Sequence, residues 1–416
     1  MSVVPQTVPR VSAPTAAARA EKRAKTLGVG LPRPRDVLHE FGLYVHIPFC
    51  AHRCWYCDFN AYAGLDHLAD EYMAALIEDA RLALSSPEGF DERPPVTSIF
   101  IGGGTPSRVE ARWITELLGA VRGSWTVASD AEITIECNPE STDPAKLRTY
   151  LGAGVNRISF GVQSLDDVLL SRLGRVHDAE TALRALRLAR EAGFENVSAD
   201  LIFGVPGESD DAWRASLEGV VEADVDHMSC YALIYEEGTP LDSWRRLGKV
   251  IPVPDDDVAR RWEVTNAVLG AAGFDRYEIS NWAKPGAASR HNSLYWADGE
   301  YLGIGAGAHS HVAPVRSWTV KSPERYVAAI DEGSRPVAGS EVIDASTRAT
   351  EVMLLGLRRA GGVDARTFRE LTGREIDDTF ADALSEGVRR GLLSWDGTTV
   401  SCTKPLLLNE AAVLFA

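Results

Sequence analysis

Cys50, Cys54 and Cys57 fall within eight residues, in Phe49-Cys50-Ala51-His52-Arg53-Cys54-Trp55-Tyr56-Cys57-Asp58-Phe59. Thiolates are soft ligands, and this C-x3-C-x2-C run brings three of them to one loop. Three thiolates can hold three irons of a cubane iron–sulfur cluster. The fourth iron then lacks a protein ligand and is open to chemistry or to an exchangeable ligand. A structural zinc site is the competing reading, but zinc takes four donors, typically as two C-x2-C pairs. No second pair occurs in the chain, and His52 would complete a site only through an awkward local loop. The spacing therefore favours the cluster.

Other residues could serve the same site. Gly102-Gly103-Gly104-Thr105-Pro106 follows an apolar run and precedes a helical pattern. Its backbone N–H groups could face a small anionic or zwitterionic ligand, approached closely because no Cβ intervenes. Glu136, Gln163 and Asp200 close or occupy apolar runs, and Arg175 lies in the region after the fourth. Each alone is more often a capping or satisfied core group. Charge in an apolar strand is costly unless paired or bound to a ligand, so their convergence on one mouth would mark a site.

The elements that must position them alternate. Apolar, β-branched or aromatic runs occur at Leu43–Ile47, Ser98–Ile101, Glu132–Glu136, Asn156–Phe160, Val197–Phe203 and His227–Leu233. Helical patterns, such as His67–Leu84, Val109–Val121, Asp178–Ala192 and Asp210–Glu222, lie between them. Strand–helix alternation predicts an α/β fold with a parallel sheet, here a partial (β/α)6 barrel over residues 41–250. Such barrels carry their chemistry at the C-terminal ends of the strands, where the cysteine loop and the glycine run both fall. Residues 251–340 are expected to form a connecting region, entered through Pro252, Pro254 and a helix opened by Asp255–Asp257. Residues 341–416 read as three helices (346–359, 364–372, 375–390) and a hairpin turning at Asp396-Gly397, a mostly helical, winged-helix-like domain. A packing cap is the favoured role for it, because Glu375, Asp377, Asp378, Asp382 and Glu386 make the third helix a poor face for phosphates.

The 416 residues carry 43 Lys plus Arg against 59 Asp plus Glu, for a net charge of −16. That balance disfavours nucleic acid as a partner. Cys137, Cys230 and Cys402 are isolated, with no disulfide framework, which fits a reducing cytosol and a cytoplasmic protein. No run of 18 apolar residues is present to span a membrane. Residues 1–40 lack a secretory signal core and read as a disordered extension.

With these motifs in order, the chain resembles radical S-adenosylmethionine (SAM) proteins of the coproporphyrinogen oxidase-like group, and within it the heme chaperone HemW family. Tyr44 through Cys57 match Tyr-x-His-x-Pro-Phe-Cys-x3-Cys-x2-Cys. Gly102–Pro106, Gly161–Ser164 and Asp200–Pro206 match the family's Gly-Gly-Gly-Thr-Pro, Gly-Val-Gln-Ser and Asp-Leu-Ile-x-Gly-x-Pro motifs. The resemblance implies that Cys50, Cys54 and Cys57 ligate a [4Fe–4S] cluster whose open iron chelates SAM. Gly103 would bond the SAM amino group. Tyr44, Tyr56, Glu136, Gln163, Arg175 and Asp200 would line SAM sites, with Gly104 and Thr105 at a second one. The oxidase has a further cysteine where Phe59 stands here, so the resemblance favours a heme chaperone over an oxygen-independent coproporphyrinogen III oxidase, the alternative. It also matches His-Asn-x-x-Tyr at His291–Tyr295, making His291 a candidate heme ligand, with His309 and His311 as competitors. His46 and His52 flank the cluster and are expected to tune or shield it. Implied partners are heme and heme-accepting apoproteins. A homodimer and peripheral membrane contact are compatible with the chain, although no amphipathic anchor stands out.

Overall fold

The structure, a computed structural model, describes residues 40–85 and 94–416. The extension expected over residues 1–40 lies, but for Glu40, outside them. Six strands form the frame: β1 Phe41–Ile47, β2 Val96–Gly103, β3 Val127–Cys137, β4 Arg157–Gln163, β5 Asn196–Phe203 and β6 His227–Ala232. Each pairs in parallel with the next. Helices Ala69–Ser85, Ala111–Ser124, Pro144–Ala153, Ala179–Ala192 and Asp210–Glu222 connect them, and Asp255–Ala271 follows β6. This is the expected α/β partial (β/α)6 barrel.

The strands form where they do because both of their faces are covered. A strand buried on both faces reads as a nearly continuous apolar run rather than an alternating one. In β1 every residue but Tyr44 is buried. The helices show the complementary pattern, one apolar stripe each. Trp113, Ile114, Leu117, Leu118 and Val121 form the stripe of Ala111–Ser124 and pack on the sheet in the main core. Local capping agrees with the packing: the Asp178 carboxylate accepts from Thr181 N–H and the Ser209 hydroxyl from Ala212 N–H, where helices Ala179–Ala192 and Asp210–Glu222 begin.

The sheet extends beyond the six strands. Residues Glu300–Ile304 form β7, which pairs in parallel with the outer side of β1. Antiparallel strands His309–Val312, Val315–Thr319 and Val337–Val342 follow, and Asn281–Ala283 adds antiparallel to β6. Sequence patterning did not predict these strands. They are short, and β7 is followed by a hairpin rather than a helix, so strand–helix alternation does not flag it.

The C-terminal residues fold as read, with helices Ala345–Gly356, Ala365–Thr372 and Ile376–Arg389 and a hairpin of Leu393–Trp395 with Thr399–Cys402. Asp396 Oδ1 accepts from the Thr398 and Thr399 amides and holds the turn. A third short strand, Val363–Asp364, completes the winged-helix-like sheet. These elements enclose a core of their own around Met353, Phe368 and Val400. They dock on the region 251–340 through the Glu278–Arg359 bridge and the Arg348–Asp298 and Arg316–Glu351 ion pairs. Among the described residues no helix is long and apolar enough to cross a membrane. Truncating the buried Phe368 to Ala should cost about 3–5 kcal/mol. Urea unfolding should then show an early transition of the C-terminal helices while the barrel's midpoint holds.

Candidate functional site at the barrel mouth

The site begins with two backbone hydrogen bonds. Gly104 N–H donates to Ile47 O at 2.9 Å, and Thr105 N–H to Phe49 O at 2.8 Å. They hold the glycine run at the end of β2 against the chain leading into the cysteine loop. The contact demands glycine. A Cβ at Gly104 would lie 2.8 Å from Pro48 C and Phe49 O, and Gly103 has φ +113° with its missing Cβ 2.6 Å from the His46 ring. His46 itself is held by Tyr44 Oη at Nδ1 and by Asn60 O at Nε2, each at 2.9 Å. It shields Gly103 and has no nitrogen free. His52 packs edge-on against Trp55 at 4.8 Å between ring centroids.

The three thiols are free and half-exposed at this mouth. Cys50 Sγ lies 3.5 Å from Thr105 Oγ1, and Arg175 Nη1 lies 3.5 Å from Cys54 Sγ. Burial pushes the Cys57 thiol up to about 11 and Cys50 in the same direction, and the neighbouring sulfurs add to the effect. Alone, these two would stay protonated at neutral pH; positive iron is what would make them thiolates. Among the described residues no three His, Cys, Asp or Glu side chains converge on a single-ion site. A tetrahedral ion needs convergent donors, whereas a cubane takes one thiolate at each of three irons. The donor set fits the cubane.

Polar groups from the other strand ends surround the loop. Glu136, at the end of β3, accepts from Gly103 N–H at 3.2 Å. Burial, and then the Asp200 charge, raise its carboxyl to about 7. Asp200 on β5 accepts from Ser159 Oγ at 3.1 Å, and burial raises it too. Arg175 donates to Asn138 Oδ1 at 2.8 Å and Gly161 O at 2.9 Å, while its buried Nε has no partner. Gln163 ends β4 with φ +65°, a conformation uncommon outside glycine. Tyr56 packs on the cluster of Leu169, Leu173, Ile202 and Val205 beside Arg175, and Tyr44 stacks on Phe100. The expected residues Tyr44, Tyr56, Gly103, Gly104, Thr105, Glu136, Gln163, Arg175 and Asp200 thus ring the same mouth as the thiols. Sequence reasoning missed Asn138, whose amide bridges Thr105 Oγ1 (3.2 Å) and Arg175. The available signal was its place one residue past the end of β3, just before Pro139.

Comparison with known proteins agrees with this geometry. The Radical SAM superfamily model matches residues 44–219, and the HemN C-terminal domain model matches 343–405. The heme chaperone HemW of Mycobacterium tuberculosis is 40% identical over 378 residues, covering 90% of this chain and 94% of that one. That of Bacillus subtilis is 36% identical, covering 88% and 97%. The chain belongs to the heme chaperone HemW family. Among solved structures, coproporphyrinogen III oxidase (HemN) from Escherichia coli shares the fold, with a TM-score of 0.77, 22% identity and coverage of 97% and 96%. The radical SAM match implies a [4Fe–4S] cluster and SAM, which the thiols and the glycine cradle fit.

The second HemW-like motif lies on the helix Arg290–Trp296. Its N-terminus is docked by Glu132 on β3, whose carboxylate accepts from the amides of Arg290 (3.0 Å) and His291 (3.1 Å). His291 is 1% exposed. Its Nδ1 meets Ser98 Oγ at 2.9 Å and its Nε2 meets Tyr295 Oη at 2.8 Å. Burial, then Arg157, lowers its pKa to about 3, so the ring is neutral. It could reach an iron only by surrendering one of those bonds. His309 is exposed and stacks on Trp318, whereas His311 is buried. Phe59, in the place of the oxidase's cysteine, is 64% exposed.

The raised Glu136 carboxyl makes a testable sign. The folded chain holds that proton to about pH 7 while the unfolded chain releases it near the ordinary carboxylate range, so this group's contribution to stability falls as pH rises from about 4.5 to 7. Glu136→Gln should flatten the decline in urea midpoint over that window. An unchanged pH profile would show that the carboxyl titrates normally.

Proposed function

We propose that this chain is a heme chaperone: it binds heme and passes it to acceptor apoproteins in the cytoplasm. Its near full-length similarity to proteins named as HemW chaperones carries the reading. In it, Cys50, Cys54 and Cys57 hold three irons of a [4Fe–4S] cluster, and SAM occupies the fourth as an exchangeable ligand. When bound, that pair supplies either a radical source or a conformational anchor. The chain's own groups do the positioning. Gly103, free of a Cβ, presents backbone to the SAM amino group, with Glu136 behind it. Arg175 and Asn138 brace the cysteine loop against β3 and β4, and Tyr44, Tyr56, Gln163 and Asp200 border the ligand. Gly104 and Thr105 would border a second SAM. Heme is received beside the helix that carries His291 and Tyr295, with residues 341–416 closing over it. In this reading the working units are the barrel 41–250, the region 251–340 that carries the His291 helix, and the C-terminal cap 341–416.

The alternative, oxygen-independent oxidation of coproporphyrinogen III, has the shared fold in its favour. Phe59 weighs against it, because a fourth cysteine is missing where that enzyme group carries one. Anaerobic turnover with SAM, a low-potential reductant and coproporphyrinogen III should give no protoporphyrinogen; stoichiometric product would overturn the chaperone reading.

Two binding experiments bear on the rest. Anaerobic reconstitution with ferrous iron and sulfide should give a brown protein with a dithionite-induced paramagnetic signal. Cys50→Ala, Cys54→Ala and Cys57→Ala should each abolish it. Hemin titration of the full chain should develop a shifted Soret band, and its absence would sink heme binding.

A further inference from the structure

Asn138 is held at the barrel mouth by its backbone. Its N–H donates to Ser107 Oγ at 3.2 Å, and its carbonyl accepts from Ser141 N–H at 3.1 Å and from Ser141 Oγ at 2.9 Å. Pro139 follows, and its fixed φ stiffens the exit from the strand. The side chain is thereby aimed between two residues that each approach a cysteine sulfur. Thr105 Oγ1 lies 3.5 Å from Cys50 Sγ, and Arg175 Nη1 lies 3.5 Å from Cys54 Sγ.

Donor chemistry fixes the direction of each bond here. A guanidinium only donates, so the Asn138 amide must turn Oδ1 to Arg175, where it accepts from Nη2 at 2.8 Å. That turns Nδ2 to Thr105, where it donates to Oγ1 at 3.2 Å. The hydroxyl accepts on that side and keeps its own hydrogen for its other partner, Cys50 Sγ. An iron-bound thiolate carries no hydrogen and can only accept. On the opposite side, Arg175 Nη2 also donates to Gly161 O at 2.9 Å, which uses both hydrogens of that nitrogen. The guanidinium is planar, so these two anchors set Nη1 on Cys54 Sγ.

We propose that Asn138 is a positioning residue for the cluster's electron chemistry: through Thr105 and Arg175 it directs one hydrogen bond to the Cys50 thiolate and one to the Cys54 thiolate, and so raises the cluster's reduction potential. The proposal rests on the [4Fe–4S] reading of the three cysteines and deepens it. Hydrogen bonds to ligand sulfurs are among the levers that set such potentials, and outer partners orient the groups that make them. The reason is charge. A donor draws electron density from the thiolate, so adding one electron to the cluster costs less. Arg175 adds a full positive charge beside a second ligand sulfur.

The test is a mediated redox titration of the reconstituted full-length chain, without SAM, following the paramagnetic signal of the reduced cluster. Asn138→Leu, close in size but without either amide bond, should lower the midpoint potential while iron and sulfide content stay at the wild-type level. Thr105→Val tests the Cys50 bond with Asn138 in place and should lower it too. Thr105→Ser, which restores the donor, should hold the wild-type value. Asn138→Leu combined with Thr105→Val should shift the potential by less than the sum of the single shifts, because both act on the Cys50 bond. An unchanged or raised potential in Asn138→Leu or in Thr105→Val, or shifts that simply add in the double variant, would overturn this role and leave the cluster reading intact. Failure of the wild-type chain to assemble a cluster would remove the cluster reading, and this role with it.

Discussion

Two backbone hydrogen bonds, Gly104 to Ile47 and Thr105 to Phe49, join the end of β2 to the start of the cysteine loop. Everything at the barrel mouth depends on that join. It exists because β1 and β2 are parallel and in a register that sets His46 against Gly102 and Ile47 against Gly103. It is sterically possible because no Cβ stands at 103 or 104. With the join made, the Cys50 sulfur lies beside Thr105 and the Cys54 sulfur beside Arg175, a residue distant in sequence. A loop of eleven residues on its own could not hold three thiols in a fixed relation; the parallel sheet beneath it does.

Around that join the barrel keeps charge that a purely structural core would not. Burial disfavours the ionisation of both Glu136 and Asp200, the Asp200 charge adds to the effect on Glu136, and Arg157 is a cation that opposes it at both. The Nε atoms of Arg157 and Arg175 are buried and unpaired. Networks left incomplete in this way are poor stabilisers, since an unsatisfied buried group costs about 1–3 kcal/mol. Glu136 near the end of β3 and Arg175 beyond β4 lie at the barrel mouth, where a polar ligand can complete them, whereas Arg157 opens β4 at the opposite end.

The two parts of the chain meet over a different contact. A run of rings from Tyr44 through Phe100, His291, Tyr295 and Tyr301 to His311 passes from the barrel mouth to strand His309–Val312, each centroid within 6.4 Å of the next. Helix Ala345–Gly356 lies over its far end, held by Arg348 and Arg316. Rigid aromatic packing of this kind ties the orientation of the His291 helix to β1 and β2, and so to the elements that hold the cysteine loop.

Local pattern in the sequence was enough for the cysteine run, the glycine run, the six alternating strands and the C-terminal helices and hairpin. Each is written in spacing, apolar periodicity or turn chemistry over a few residues, which is where backbone sterics and capping act. Glu136, Gln163, Arg175 and Asp200 were legible as polar interruptions of strand ends. Tertiary structure alone decided the rest. The pairing of β7 beside β1 joins residues 259 apart, such as Phe41 and Glu300, and no local period records it. The bridging role of Asn138 depends on Thr105 arriving from beyond β2 and Arg175 from beyond the helix Asp167–Leu173. The contrast between His291 and His311 is of the same kind. Both are histidines near aromatic residues in sequence, and only packing saturates one ring and leaves the other's Nε2 buried without a hydrogen bond, because hydrogen-bond partners belong to the assembled fold.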